Sequence, residues 1–372
     1  MDVRTVGVEE ELLLVEPETG QARAVSGAVL RGTETYAGGE ERMGTELQRE
    51  QLEIDTRPCS SLDELGREVR RRRLAAAKAA RAAGAEIIAL ATSPLPVSPS
   101  MTPDSRYRWM AREYQLTAEE NLTCGCHVHV GISSDEEGVA ILDRIRHWLP
   151  PLLALSANSP FWQGRDTGYA SYREQVWSRW PSAGPTAVFG SAQAYHEMVH
   201  TMVSSGALLD EGMIYFHARL SRHYPTVEIR IADVCLEGDD AVLLAALVRA
   251  LVETAARQWR AGGPPSPARA ELLRLATWRA SRSGLAGVLV HPETQLVAPA
   301  EAVLRALVGH VTAALDDAGE LTTVQHLLND LLARRNGAEQ QRAVHRRRAE
   351  LSDVVAHAID RTAGPRVSAP FG

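Results

Sequence analysis

Apolar and acidic positions alternate at the start of the chain. In residues 5–15, TVGVEEELLLV, a period of two predicts a strand with Glu9 and Glu11 on one face and Val8, Leu12 and Leu14 on the other. A Gly-containing connection leads to residues 45–58, TELQREQLEIDTRP, a second strand with Leu52 and Ile54 on one face and Gln51, Glu53 and Asp55 on the other. Strict alternation puts Glu46 opposite Glu53, so the two meet only if a bulge or turn intervenes. Ser61 with Glu64 forms a capping box that opens an Ala/Arg-rich helix over 62–83, ended by Gly84. A buried strand over 85–92, a Pro-rich loop over 93–104 and a helix over 106–114 follow.

Residues 121–132, NLTCGCHVHVGI, alternate again, with His127, His129 and Gly131 on one face and Cys126, Val128 and Val130 on the other. Ser134 with Glu137 starts a helix that is apolar through Leu155 and must kink or divide at Pro150-Pro151. The segment 156–185 is a loop rich in aromatics, glycines and arginines, and 191–205 is a helix. Strands are predicted over 212–221 and 225–235. The second turns Val227, Ile229 and Ile231 to the core and leaves Glu228 and Arg230 together on the other face. From Asp239 the chain reads as helices, near 239–259, 267–281, 299–317, 323–334 and 338–361. Strands and helices are mixed as far as residue 235 and helices alone follow, a pattern of the α+β class.

The 372 residues are 45% hydrophobic and 23% charged, with a net charge of -7, an ordinary globular composition. With no linker-like stretch, residues 1–364 read as a single catalytic domain and 365–372 as a flexible tail. Mild acidity argues against a nucleic-acid partner, and the arginines at 70–73 and 346–348 read as solvated stripes. The N-terminus lacks a basic region followed by an apolar one, and the longest apolar stretch, 241–252, contains Arg249. A cytoplasmic protein without a membrane partner is expected. Cys124 and Cys126 are too close in one strand to bridge, and Cys59 and Cys235 stand alone, so all four read as reduced, buried thiols.

Neighbouring carboxylates on one strand face repel unless water or a cation separates them. A solvated acidic edge accounts for Glu9 and Glu11 taken alone, and a salt bridge for Glu228 and Arg230. His127 and His129 suit either structural hydrogen bonds or a metal or phosphate role. Together, Glu9, Glu11, Glu53, His127 and Glu228, with Glu46 if the chain turns there, form an oxygen-rich set that suits Mg2+ or Mn2+ better than Zn2+. Ions so held pair naturally with a nucleoside triphosphate, with Arg230 and His129 on its phosphates. No glycine-rich phosphate loop, kinase signature or H-E-x-x-H is present. Arg165, Tyr169 and Arg173 can hold a substrate carboxylate, the alternative being solvated surface arginines.

GVEEE, TELQREQLE, CGCHVHVG, ALSANSPFWQGRDTGYASYR and YPTVEIRIADVC resemble the carboxylate-amine ligases of the YbdK type, relatives of the glutamate-cysteine ligases and more distantly of glutamine synthetase. The resemblance runs from Val6 to about Arg361. It implies a glutamine synthetase-like catalytic fold, a curved antiparallel β-sheet with helices packed on its outer face. It further implies two or three Mg2+ ions bridging ATP and an acid substrate, with Glu9, Glu11, Glu46, Glu53, His127 and Glu228 as metal ligands and a bulge bringing Glu46 round. The implied reaction joins glutamate, or a similar carboxylate, to an amine such as cysteine through an acyl phosphate. Arg230, Glu53 and Glu228 would be catalytic, Arg165 or Arg173 would hold the glutamate α-carboxylate, and no protein nucleophile is needed. A homodimer is the family expectation. One departure concerns the acceptor pocket: Tyr215, Phe216 and His217 stand where the family has Tyr-Trp-Asp.

Two other readings compete. A metal-dependent hydrolase would hold Zn2+ on His127 and His129 and recruit His217 or His223. A nucleotide-binding sensor would bind ATP without turnover.

Overall fold

A computed structural model describes residues 3–36 and 43–363, the side chains of 33–36 excepted, so the expected tail at 365–372 lies outside the described residues. The strands are β1 (Val6–Val15), β2 (Met43–Thr45), β3 (Gln51–Asp55), β4 (Glu86–Ile88), β5 (Gly125–Gly131), β6 (Phe161–Trp162), β7 (Arg165–Asp166), β8 (Ala218–Leu220), β9 (Thr226–Asp233), β10 (Val288–Val290) and β11 (Val297–Pro299). Seven of them form one sheet in the order β2-β3-β1-β5-β9-β8, with β4 on β1. Every pairing is antiparallel. The strand β1 is central because it is long enough to serve three partners. It pairs with β3 through residues 9–13 on one edge, and with β5 through 6–10 and β4 through 13–15 on the other.

Alternation gives the sheet two unlike faces. Val6, Val8, Leu12 and Leu14 of β1, Cys126, Val128 and Val130 of β5, and Val227, Ile229 and Ile231 of β9 are all buried. The helix Gly238–Arg260 packs on β1 and β5 and is enclosed by the helices Leu62–Ala82, Asp135–Ile145, Ala300–Asp317 and Leu321–Arg334. Enclosure by these elements explains its long apolar run. Arg249 within that run is tolerated because its guanidinium pairs with Glu320 and reaches the Ser60 carbonyl. Among the described residues no helix is long and apolar enough to cross a membrane.

Glu10 belongs to this core face, between the two site glutamates in sequence. Arg73 of helix Leu62–Ala82 holds it with two bonds, 2.9 Å from Nε and 2.5 Å from Nη2, and also donates to the carbonyls of Cys235 and Leu236. A buried pair in which every guanidinium nitrogen is engaged fixes the helix against β1, and removing one partner costs about 3–5 kcal/mol.

Several elements differ from the expected ones. Residues 45–58 are not one strand. β2 and β3 form a hairpin with Gly44 opposite Glu53, and Glu46 lies in the connection between them. Glu46 is therefore turned round by a turn and not by a bulge. Only 86–88 of the 85–92 run forms a strand, with a lone bridge from Thr92 to Thr123, and only 218–220 of 212–221 does, a run that begins with a 3-10 turn at Glu211–Met213 and bridges Gly184 at Phe216. The expected helix over 338–361 is two, Gly337–Arg348 and Leu351–Ala363, separated at Ala349 with φ of 59°. Helix Ser26–Tyr36 and hairpin β10/β11 carry no clear periodic signal. At Pro150-Pro151 the chain divides as expected, and both prolines sit in the first turn of Leu149–Ser156, where a missing N–H leaves no bond unmade. The four cysteines are free and buried, and burial raises their thiol pKa values.

A carboxylate-lined candidate active site

The strand register assembles the site. β1 sets Glu11 opposite Glu53 and Glu9 opposite His127, β5 sets His129 opposite Glu228, and β8 sets Arg219 opposite Glu228. All these side chains belong to the sheet face turned away from helix Gly238–Arg260. The register thus lays a row of charged groups across five strands.

The row contains two clusters. Glu9, His129 and Glu228 each offer one ligand atom within 4.8 Å of the others, and so do Glu11, Glu46 and Glu53. His127 lies between them, with Nδ1 3.2 Å from Glu9 and Nε2 3.8 Å from Glu11. His129 Nε2 is 3.1 Å from Glu9, and its Nδ1 is 2.9 Å from Thr226 Oγ1. Nε2 of His127 is buried without a hydrogen-bond partner among the described residues.

The two clusters differ electrostatically. Burial would raise Glu228, but Arg230 and Arg219 outweigh it and hold the carboxyl well below the usual range. Arg219 forks onto it at 2.8 and 3.1 Å, and Arg230 pairs with it too. Burial likewise opposes ionisation of Glu9, and its bonds to His127 and His129 prevail and lower it. His129 is raised because Glu9 overcomes its burial, whereas burial and Arg230 lower His127. In the other cluster two of the three acids, Glu46 and Glu53, are driven towards protonation. Burial, then repulsion from Glu11, pushes Glu46 up to about 7, and burial with Glu46 and Glu9 nearby raises Glu53 well above its ordinary value. Crowded carboxylates, raised acids and the unpartnered His127 nitrogen fit divalent cations of the Mg2+ or Mn2+ kind.

Two glycines make room. A Cβ on Gly44 would lie 2.9 Å from Glu53 Oε1. One on Gly125 would lie 2.4 Å from Arg173 Nη2 and 3.1 Å from His127 Nε2, while the Gly125 amide donates to Glu11 at 2.5 Å. Arg173 therefore lies over Gly125 beside His127, buried, with Nε unpartnered among the described residues. It comes from helix Tyr172–Trp177, whose N-cap is Ser171. Arg165 is exposed in the β6/β7 ribbon, and the Tyr169 hydroxyl accepts from Trp278 Nε1 at 3.3 Å. None of Arg165, Tyr169 and Arg173 lines the cavity over the row, and the Arg173 guanidinium donates to the Ile231 and Arg230 carbonyls, each at 3.3 Å.

That cavity, about 260 Å³, is walled by Tyr107, Trp177, Trp180 and Tyr215, with Arg106 and Arg222 at its mouth. The guanidinium carbons of Arg173 and Arg230 lie 5.5 and 5.9 Å from the Trp177 ring centroid. A second cavity of about 480 Å³ shares Glu9, His129 and Tyr224 with the first and extends past Gly7 and Gly131. His217 is buried against Glu174 at 3.2 Å and lines neither, while His223 lines the first.

Arg219, Arg106 and Asp233 were not singled out by sequence reasoning. Asp233 accepts from the Asn158 amide and the Ser159 and Ser171 hydroxyls, each at 2.8 Å, and lies 4.0 Å from Arg173. It ties the 156–173 loop to the sheet. An acid ending an apolar strand, with a loop rich in Ser and Asn elsewhere, was its only sequence signal.

The fold defines a class of protein. A glutamate–cysteine ligase of Francisella tularensis, solved with AMP, superposes with a TM-score of 0.70 at 12% identity, covering 99% of this chain and 91% of its own. A bifunctional glutathione synthetase of Pasteurella multocida superposes with a TM-score of 0.68 at 16% identity, covering 97% of this chain and 52% of its own. These likenesses establish the glutamine synthetase-like ligase fold.

Residues 5–359 match glutamate-cysteine ligase family 2, and the chain belongs to that family. A Streptomyces avermitilis protein provisionally named glutamate–cysteine ligase 2-1 is 55% identical over 362 residues, 97% of this chain and 100% of its own. One from Streptomyces coelicolor, provisionally named glutamate–cysteine ligase 2, is 53% identical over 360 residues, 97% of this chain and 99% of its own. The chain is thus a ligase of the ATP-dependent carboxylate–amine class, and not a hydrolase.

Proposed function

We propose that residues 1–364 act as one domain that joins glutamate, or a similar carboxylate, to an amine such as cysteine, releasing ADP and phosphate. The observation that carries this reading is a pair of ligand clusters with a cavity on either side of Glu9 and His129. Glu11, Glu46 and Glu53 would hold one Mg2+, and Glu9, His129 and Glu228 another, with His127 between them. Bound there, the ions would neutralise the transferring phosphoryl group and the acid.

The second cavity suits the nucleotide, because Gly7 and Gly131 leave flat backbone on which a base can lie. Its phosphates would then reach His129 and Arg230. Arg173, buried beside His127 just outside the cavity lining, would draw the α-carboxylate of the acid towards the floor by its charge. A carboxylate oxygen attacks the γ-phosphorus, the bond to the β-phosphate oxygen breaks and ADP leaves. The amine nitrogen attacks the resulting acyl phosphate at carbon, the carbon–oxygen bond breaks, and phosphate leaves as the nitrogen loses its proton. Arg230, fixed on Glu228, supplies a charge that need not reorganise during phosphoryl transfer. The enclosing aromatic wall keeps water from the acyl phosphate.

A homodimer in the cytoplasm completes the proposal on family likeness alone. The test is release of ADP and phosphate with Mg2+, ATP and glutamate across a panel of amines. ADP release that depends on both glutamate and one amine is the expected result. Nucleotide binding without turnover on any pair would replace the ligase reading by a sensor.

A further inference from the structure

A cavity of about 470 Å³ shares no residue with the two described above. It lies where helix Asp135–Ile145, the 3-10 turn Arg146–Trp148, the loop after helix Gly238–Arg260 and the β10–β11 turn come together. Arg144 lines it. That guanidinium donates to the Ala140 carbonyl at 2.8 Å and to the Gly263 carbonyl, its Nε is buried without a partner, and it makes no ion pair among the described residues. Arg146, outside the lining, is likewise held by carbonyls alone, those of Asp143, Thr186 and Ser266. The neighbouring Asp143 carboxylate is taken up by the Phe189 and Gly190 amides, each at 2.8 Å. Burial accordingly lowers the pKa of both arginines, whereas in Arg4, Arg73 and Arg230 burial is outweighed by the acids they hold and the pKa rises. His147 and His310, also on the lining, are lowered by burial, His147 to about 4, and so are uncharged at neutral pH. Among the described residues the lining carries one acid, Glu293, whose side chain is 61% exposed and stands 3.9 Å from His310.

Another cavity, of about 400 Å³ beside the N-terminus, is lined by arginines too, but Arg4, Arg249 and Arg257 there each hold a carboxylate and leave no charge uncompensated. The cavity at Arg144 differs in that respect. We propose that it is a second ligand site, taking a small organic carboxylate whose oxygens accept from the Arg144 guanidinium and whose apolar body lies against a wall of prolines. Pro264, Pro265, Pro267 and Pro292 supply that wall, and having no N–H they leave no donor there to satisfy. A buried donor without a partner is costly, and an arriving carboxylate oxygen satisfies the Arg144 Nε. The neutral imidazoles of His147 and His310 can add hydrogen bonds without adding charge. One guanidinium then balances one negative charge, which suits a carboxylate better than a phosphate dianion. The volume is that of a site for a small molecule rather than for a lone ion.

The test is equilibrium dialysis of bromobenzoate and its neutral counterpart bromobenzamide against the whole protein, with Mg2+, ADP and glutamate present throughout to fill the catalytic cavity. The carboxylate should bind about tenfold more tightly than the amide. Arg144→Gln should remove that preference. Glu293→Gln, at an exposed position, should strengthen carboxylate binding about threefold and leave amide binding unchanged, because it removes the one acid on the lining. Equal binding of acid and amide, or a preference that survives Arg144→Gln, would overturn the site. If Arg144→Gln does not fold, Glu293→Gln decides, and an unchanged carboxylate affinity in that variant rejects the proposal. Stronger displacement of bromobenzoate by inorganic phosphate than by acetate at equal concentration would overturn the choice of a carboxylate.

Discussion

Glu11 and Glu53 stand directly opposite each other on adjacent strands β1 and β3, both on the site face, with Glu46 closing the group from the hairpin turn. Carboxylates directly opposite one another destabilise a sheet, so the arrangement makes sense as a cation site.

Replacing Glu53 by Gln removes a proposed ligand and a source of repulsion, and no apolar core contact. ADP release should fall by roughly 100-fold or more, while the thermal midpoint without Mg2+ holds or rises. Full activity would sink the ligand assignment.

Gly44→Ala tests the same carboxylate without touching it. The added methyl would sit 2.9 Å from Glu53 Oε1 and must displace it. Mg2+ affinity, followed by titration, should weaken by about tenfold with the fold intact. Unaltered affinity would mean that Glu53 is not held where the ion binds.

The pH dependence should distinguish ion-free from ion-bound protein. Glu46 titrates near 7 in the fold, above its unfolded value of about 4.3, because burial and Glu11 oppose its charge. Its contribution to stability is therefore fully present below about pH 4.3 and is lost as pH rises through 7. Mg2+ should offset that loss, so the gain in thermal midpoint on adding Mg2+ should be small near about pH 5.5 and larger near about pH 8. An equal gain at both would place the ion elsewhere.

The parts of this site that could be read from sequence are those fixed by strand period. Alternation put Glu9 with Glu11, His127 with His129, and Glu228 with Arg230 on common faces, and the sheet keeps all three pairs. Register is a tertiary property, so the pairing of Glu9 with His127 and of His129 with Glu228 had no local signature. Strict alternation alone parts Glu46 from Glu53, and the hairpin turn that resets it brings the two together. Glu10 stayed unremarked because a third glutamate in EEE looks like its neighbours until Arg73, 63 positions away, is packed against it. Arg219 and Arg106 were invisible for the same reason, as isolated arginines on a short strand and a helix.

The Glu10–Arg73 pair gives a prediction for stability alone. Arg73→Met leaves a buried carboxylate without its partner and should destabilise the fold by about 3–5 kcal/mol in denaturant titration. The double variant with Glu10→Leu should recover much of the loss, since an apolar pair of similar volume suits that core. No recovery would mean that the pair fixes helix Leu62–Ala82 in a way that packing cannot replace.

Asp233 offers a test of positioning at a distance. Its carboxylate collects the Asn158 amide and two serine hydroxyls, and through the cap at Ser171 it sets the helix that carries Arg173. It lines neither of the two cavities, so its influence on the reaction is expected to pass through Arg173. Asp233→Asn keeps the shape but replaces an acceptor oxygen by a donor facing other donors, which leaves at least one hydroxyl or amide to reorganise. If Arg173 orients the acid, KM for glutamate should rise several-fold while KM for ATP stays constant. A merely structural role would lower thermal stability and leave both constants unchanged, and a rise in KM for ATP alone would move Arg173 to the nucleotide side of the site.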